Sequence, residues 1–491
     1  MITGATISVS LVSIVGSIFL ARMLDPKDFG YMALAMVVLS TTSLFSGLGV
    51  GKAVVQSKLG KREVAFHGFL MVAPAGALLS LIVYLNSLRF ANLFDNAEIA
   101  PVLRLMSATV LIDALSRVPD ALLQKDMMFG RRSIVKIVSG LVYIGSAVVF
   151  ASFGFGLWSL AYVFFARSVV NLLFLWTLCP GWYWLLPVRL NVRVAAGLLR
   201  YGLKVTVNNI LAFFNSTWDK LIVGKVLGAT SLGFYSKSYY CASVPVSGFE
   251  QVVSNVLFSS YSKIQDDKER LERAYVKSLF LLALITVPMA TGIFVVAPEL
   301  IPPLLGDKWR PVVVPLQILT IMSVVRPLSR ATGTLYLSIG RPGLSMRISL
   351  VQAFFIFSLT LLLVDKGISG VAVALATAYC VGFFYNMYLL SRVLPGILPK
   401  VMRAVSGPAL ASVLMVSCVQ FSKMPVLSML GEKGMGASSV VLIAIGIIIY
   451  TLAISMIQRA AVVEAINLVL SAFGIRTASS KRQHAMNKHK V

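Results

Sequence analysis

Asp113, Arg117 and Asp120 stand four and three residues apart inside an otherwise apolar stretch, so a helix there carries all three on one face. Two chemistries fit that face. One is a proton or cation switch, with Asp113 and Asp120 as the ion-coupling candidates; the other is a self-neutralising stripe that pins the helix. A second set is purely basic. Arg326 and Arg330 lie one turn apart in a stretch with no acid, Pro327 stands between them to disturb the helix, and Arg167 has no acid close in sequence. Guanidinium groups donate to phosphate through two parallel hydrogen bonds, which lysine cannot do. Unpaired cations beside an irregular helix therefore suit an anionic ligand, with snorkelling of Arg330 and Arg104 to the membrane surface as the competing reading. A third set, Asn208, Asn209, Asn215, Thr217, Asp219 and Lys220, makes one further stretch too polar to face lipid. Lys220 and Lys237 join the basic candidates for a cavity wall, and Asp219 joins the coupling candidates.

These residues need an unusual setting, because 58% of the chain is hydrophobic, its mean hydropathy is +0.86, and its net charge is nonetheless +25. A bilayer crossing takes about 20 apolar residues, and fourteen such runs are expected near 2–21, 29–51, 65–88, 99–122, 134–153, 157–178, 203–223, 233–257, 277–298, 312–338, 345–364, 368–390, 405–421 and 438–457. Lipid leaves backbone groups no partner outside their own segment, so the crossings are helices. Runs such as VVLIAIGIIIY at 440–450 lack the alternation of a membrane barrel. An ionised side chain at mid-bilayer costs roughly 2.5–3.5 kcal/mol on insertion scales, so the charges above are expected to face a wet cavity or a partner. The summed charge predicts a central path with more plus than minus, which concentrates phosphates and repels organic cations.

Lys and Arg collect in alternate connections: Lys52, Lys58, Lys61 and Arg62, then Lys125, Arg131, Arg132 and Lys136, then Arg189, Arg193, Arg200 and Lys204, then Lys263 to Lys277. Positive connections stay in the cytoplasm, which predicts cytoplasmic termini. Cys179, Cys241, Cys380 and Cys418 sit singly, without the spacing of a metal site or disulfide. His67, His484 and His489 are too few for a histidine relay in the core. No metal, cofactor or nucleic acid is expected.

The chain matches itself at an offset of 203 residues: Arg22 aligns with Lys225, Leu24 with Leu227, and Gly30 with Gly233. In each half the segment ends one span, turns and opens the next, with Asp25 as cap and Pro26 at the first helical position. Copies separated by six spans share one orientation, which implies two similar bundles about an axis along the membrane normal. The expected organisation is a six-helix lobe at 1–180, an interfacial amphipathic linker at 181–202, a second six-helix lobe at 203–394, two additional helices at 395–457 and a basic tail at 458–491. Ser259–Lys277 is expected to be a solvated helix with pairs such as Glu269–Arg273.

Residues 20–30 (LARMLDPKDFG), Gly47-Leu48-Gly49 with Gln56, residues 219–224 (DKLIVG) followed by Leu232-Gly233-Phe234-Tyr235, and Ala297-Pro298-Glu299 with residues 306–309 (GDKW) stand in order along most of the chain. In this series the chain resembles polysaccharide-export flippases of the multidrug/oligosaccharidyl-lipid/polysaccharide exporter superfamily. The resemblance implies an all-α integral membrane protein of about 14 transmembrane helices, in two pseudo-symmetric six-helix lobes plus two C-terminal helices. It implies alternating access, and export across the inner membrane of an undecaprenyl-pyrophosphate-linked oligosaccharide for exopolysaccharide, capsule or O-antigen. Membrane lipid, a polysaccharide polymerase and export proteins are the further partners it implies. Related flippases place arginines of the first, second and eighth helices in a cationic lumen; here Arg22 matches the first, and Lys52 and Lys237 are lysines in the other two. A cation-coupled multidrug antiporter of the same architecture is the alternative, which acidic lumen residues would favour. A glycan-joining membrane enzyme should need a large outer loop, and the outer connections here are short, so no catalytic residues are assigned.

Overall fold

The computed structural model describes residues 14–430 and 435–459, and the described residues are helical almost throughout. In chain order the helices are α1 (Ile14–Met23), α2 (Pro26–Ser46), α3 (Val50–Gln56), α4 (Lys61–Leu85), α5 (Ser87–Leu93), α6 (Ile99–Lys125), α7 (Phe129–Ser152), α8 (Leu157–Leu178), α9 (Val192–Ile222), α10 (Gly228–Lys263), α11 (Lys268–Leu305), α12 (Val313–Ser338), α13 (Pro342–Leu363), α14 (Gly367–Val393), α15 (Ile397–Leu430) and α16 (Met435–Ile457). Among the described residues, ten stretches are long and apolar enough to cross a membrane. The expectation of fourteen departs from that figure for physical reasons. The first stretch lies partly outside the described residues. α9 and α10 carry too many polar groups. α13 and α14 run together through one 3-10 turn at Val364–Lys366. The basic tail beyond residue 459 lies outside the described residues.

Local sequence explains the helix starts. Asp25 caps α2, with Asp28 closing a capping box and Pro26 in the first turn, where a missing N–H costs nothing. Asp267 caps α11 by accepting from the Arg270 amide, and Glu269 pairs with Arg273 at 3.8 Å one turn later, as its spacing predicts. Three expectations need correction. Ser259–Lys277 is not one helix: α10 ends at Lys263, residues 264–267 turn, and α11 begins at Lys268 with Asp267 as its cap. The linker is not a separate amphipathic helix: residues 181–190 are turn and coil, and the helix from Val192 runs unbroken into the following span. Trp184 is fully buried against Trp176, because the apolar base of the first half offers it more cover than the headgroup layer. Nor does Pro327 break its helix, since α12 continues through it from Val313 to Ser338.

The apolar cores show how the halves meet. One cluster holds Leu20, Tyr31 and Leu160 of the first half together with Val223, Tyr235 and Trp309 of the second. It lies at the end where α2 and α10 begin, hereafter the closed end. At the other, basic end there are two distinct cores, one with Val50, Val118 and Trp184 joined by Val194 and Leu198 from the start of α9, another with Tyr261, Tyr275 and Leu335. The halves touch there where α9 crosses the end of α2 and α3, a Cβ at Gly202 lying 2.0 Å from the Leu48 carbonyl oxygen. Fused cores at one end and divided cores at the other leave a vestibule between the halves.

The fusion is built from the repeat itself. A Cβ at Gly30 would lie 1.7 Å from the Ala229 carbonyl oxygen, and one at Gly233 would lie 1.9 Å from that of Pro26. Under the offset of 203, Gly30 is equivalent to Gly233 and Pro26 to Ala229. Each copy therefore presses the same glycine onto the same backbone position of the other, the self-complementary contact a two-fold axis produces. Backbones this close admit no side chain.

Candidate functional site

Three confluent cavities occupy the vestibule. The largest, about 940 Å³, lies in the first half between α2, α3, α6, α7 and α8. A middle cavity of about 400 Å³ shares Met36, Ser40 and Phe164 with it. A third, of about 300 Å³, lies in the second half and shares Tyr239 with the middle one. Eight basic side chains and two carboxylates line the three.

In the first-half cavity, α6 presents Asp113, Arg117 and Asp120 on one face, as their spacing predicts. Asp113 and Arg117 attract each other across one turn, but the hydrogen bonds of Arg117 and Asp120 go elsewhere. Arg117 Nη2 donates to the Ser43 carbonyl at 2.8 Å and to its hydroxyl at 2.9 Å. The end of α2 makes room for that guanidinium at Gly47, where a Cβ would lie 2.2 Å from Nη1. The Arg117 Nε is buried with no hydrogen-bond partner among the described residues. Asp120 instead accepts two parallel bonds from Arg132 of α7, at 2.7 and 2.8 Å. That fork geometry matches guanidinium to carboxylate and engages both oxygens. Arg167 lies with its guanidinium carbon 6.0 Å from the Tyr143 ring centre, and Lys52 and Lys136 complete the basic lining.

The middle cavity holds Lys220 and Lys237. Lys237 is buried, donates to the Ser17 carbonyl and hydroxyl at 2.8 Å each, and sits within 6 Å of the Phe29, Tyr240 and Trp309 rings. Three aromatic faces with two oxygens replace much of its lost hydration. Lys220 stands 4.6 Å from the Tyr239 ring centre and bonds the Ser216 carbonyl.

In the second-half cavity Arg326 donates to the Tyr239 hydroxyl at 3.2 Å. Arg330, half exposed, pairs with the buried Glu250 carboxylate at 2.7 Å. The other walls are uncharged and polar, with Asn215, Ser329, Ser349 and Gln352.

The remaining candidates lie elsewhere. Arg22 is at the closed end, outside the three cavities, and donates to the carbonyls of Leu304, at 2.9 Å, and Pro303. Those are last-turn carbonyls of α11, a position where helices favour a cation. Asp219 is buried behind the wall; it accepts from the Tyr235 hydroxyl at 2.6 Å, and its other oxygen has no partner among the described residues. Arg104 bonds Ser87 near the closed end, away from the basic surface to which snorkelling would take it.

Four contributors escaped the sequence reading. Lys136 and Arg132 sort with the charged connections by composition, yet they stand one turn apart at the start of α7, which places both on one face. Glu250 is the lone acid of α10, a signal equal in kind to that of Arg326. Tyr239 carries no such signal, because an aromatic in a membrane helix reads as core.

Residues 19–314 match the protein family described as "Polysaccharide biosynthesis protein". The chain is 25% identical over 355 residues to the lipopolysaccharide biosynthesis protein WzxC of Escherichia coli, covering 71% of each chain. It is 26% identical over 293 residues to the succinoglycan biosynthesis transport protein ExoT of Rhizobium meliloti, covering 59% of this chain and 58% of that one. The fold is that of the lipid II flippase MurJ in an inward closed conformation, with a TM-score of 0.77 at 15% identity over 94% of this chain and 99% of that one. An inward-facing multidrug transporter of the MATE family matches with a TM-score of 0.60 at 19% identity, over 79% and 98%.

Proposed function

We propose a function from one premise: the chain belongs to the polysaccharide biosynthesis protein family. In this reading it is a flippase of the cytoplasmic membrane. It carries an undecaprenyl-pyrophosphate-linked oligosaccharide from the inner to the outer leaflet, for a surface polysaccharide. The observation that carries the reading is the charge of the vestibule: eight basic side chains line it against two carboxylates, and with Arg330 paired to Glu250 and Asp120 to Arg132, seven cations still face one carboxylate. Such a space attracts a diphosphate and disfavours an organic cation, which counts against the multidrug alternative.

Arg117 and Arg326 are the groups we assign to the diphosphate, because their hydrogen bonds go to the neutral Ser43 and Tyr239 and, among the described residues, neither guanidinium is tied up in a salt bridge with a carboxylate. Arg167, Lys52 and Lys220 extend the same field, and Lys237 holds the apex. The sugars occupy the polar walls while the polyprenyl chain stays in lipid, so no covalent bond is made or broken. The basic end faces the cytoplasm, and with it both termini, by the asymmetry of Lys and Arg. Separation of the halves at the closed end, with approach at the basic end, releases the cargo outward. Asp113 and Asp219 are the groups we assign to coupling with an ion gradient. Names of relatives support this reading: WzxC in lipopolysaccharide biosynthesis and ExoT in succinoglycan transport.

The test is deletion of the gene followed by separate assay of each leaflet for polyprenyl-linked repeat units. Accumulation on the cytoplasmic side, reversed by the wild-type chain and not by Arg117→Ala, is the expected result. Unchanged leaflet distribution in the deletion strain overturns the proposal.

A further inference from the structure

A second large cavity, about 880 Å³, lies outside the vestibule at the basic end, between α11, α15 and α16. Its residues line none of the three confluent cavities. Its floor is apolar, with Val276, Phe280, Leu281 and Ile457. Its rim is basic: Arg273 and Lys277 from α11, Lys400 and Arg403 from α15, and Arg459 just beyond α16. Three separate helices bring these cations to one level, where α11 changes from the charged run 268–277 to the apolar run that follows. Two acids share the rim, and both are engaged: Glu272 with Lys400 at 2.6 Å, and Glu269 with Arg273 at 3.8 Å. Arg403 and Arg459 are exposed and have no carboxylate partner among the described residues.

Apolar floor, cationic rim and a place at the water–hydrocarbon boundary are complementary to one kind of molecule. We propose that this groove binds an anionic phospholipid, its phosphodiester held by Arg403 and Arg459 and its acyl chains laid along Phe280, Leu281 and Ile457. A zwitterionic lipid brings an ammonium into the same basic field and is disfavoured. A free phosphate gains the charges but leaves the floor uncovered. The site holds α15 and α16 against α11 through a lipid shared by all three, and it stands whether or not the vestibule carries a diphosphate.

The test uses the purified full chain in detergent and native mass spectrometry with phosphatidylglycerol, phosphatidylethanolamine, inorganic phosphate or undecaprenyl phosphate added in turn. Wild type is expected to retain phosphatidylglycerol well above the other three. The double variant Arg403→Gln/Arg459→Gln is expected to lose about thirtyfold in that affinity, since each surface cation contributes about a factor of five toward an anionic lipid. Both side chains are exposed, so the variant is expected to unfold at the wild-type temperature without lipid, and phosphatidylglycerol is expected to raise that temperature for wild type alone. Lys366→Gln, at the closed end, is expected to leave binding unchanged. Equal retention of phosphatidylethanolamine, retention of inorganic phosphate, preference for undecaprenyl phosphate, or an unaltered double variant each overturns the proposal.

Discussion

The two halves meet through equivalent glycines of a short repeat, yet their cavities treat cations differently. In the first half Arg117 reaches across from α6 to a neutral serine on α2, and Arg167 lies near a tyrosine ring. Among the described residues neither guanidinium hydrogen-bonds a carboxylate, Asp113 shares their cavity, and the space around them is about 940 Å³. In the second half Arg330 is neutralised by buried Glu250, only Arg326 keeps a neutral partner, and the space is about 300 Å³. Pseudo-symmetry of the backbone thus coexists with asymmetry of charge. The fold sets where helices cross; single side chains set how much positive charge each half presents to its cavity.

The largest effect expected from this difference is at Arg117. Replacing it with alanine removes charge-assisted hydrogen bonds worth about 1.5–3 kcal/mol each, a loss of about ten- to 150-fold per bond in affinity for a diphosphate. Arg117→Lys keeps the charge and loses the fork, so it is expected to fall between. Transport into vesicles of a fluorescent polyprenyl diphosphate, normalised to protein in the membrane, measures both. If Arg326→Ala proves more harmful than Arg117→Ala, the ranking of the halves is reversed.

Next in size is the Glu250–Arg330 pair, where the expected loss is in stability. Arg330→Leu leaves a carboxylate buried without its partner, which costs up to about 3–5 kcal/mol, less whatever solvent returns through the half-exposed site. Glu250→Leu together with Arg330→Leu replaces the pair with apolar groups and is expected to recover most of that loss. Thermal unfolding in detergent separates the two outcomes. A double variant as unstable as the single one means that the pair does more than neutralise itself.

Much of the vestibule was legible because lipid makes charge conspicuous. Arg326, Arg330, Asp113, Arg117 and Arg167 could each be picked out as residues with no inexpensive place in hydrocarbon, and all five line a cavity. The same logic misled where a charge had a local solution. Arg22 caps the α11 carbonyls, and Asp120 is held by Arg132, partners distant or ambiguous in the sequence. The linker misled for a related reason: aromatics beside arginines have the composition of a headgroup helix, but Trp184 is packed into a core. Glycine spacing was the most informative local signal for the fold, since Gly30 and Gly233 marked the repeat and prove to be its point of contact.

That contact yields a third, intermediate prediction. Gly233→Leu drives a side chain into the Pro26 carbonyl, which lies 1.9 Å from even the first added carbon, so the seam must part. The closed end then opens while the basic end, held by its own Gly49–Gly202 crossing, keeps its contacts. Ser40→Cys, on the wall shared by the first-half and middle cavities, reports the change in a background lacking the four native cysteines. Labelling by a membrane-impermeant thiol reagent from the closed-end side is expected to rise severalfold over the glycine parent. No rise means that the seam is not the barrier.

The smallest effect is expected at Arg22, although family likeness places an arginine of the first helix in the lumen. Here its guanidinium is spent on the Leu304 and Pro303 carbonyls, at the far side of the seam from the cavities. Arg22→Gln retains one donor for those carbonyls and loses the favourable charge at a helix C-terminus, worth about 0.3–1 kcal/mol. A slightly lower unfolding temperature with transport within about fivefold of wild type follows, since 0.3–1 kcal/mol corresponds to a factor of about two to five in the equilibrium it biases. A collapse of diphosphate transport on the scale of Arg117→Ala, with stability intact, would move Arg22 into the ligand's path. It would also require the closed end to open far enough for the diphosphate to meet it there, so Arg22 measures how far the cargo travels before the seam releases it.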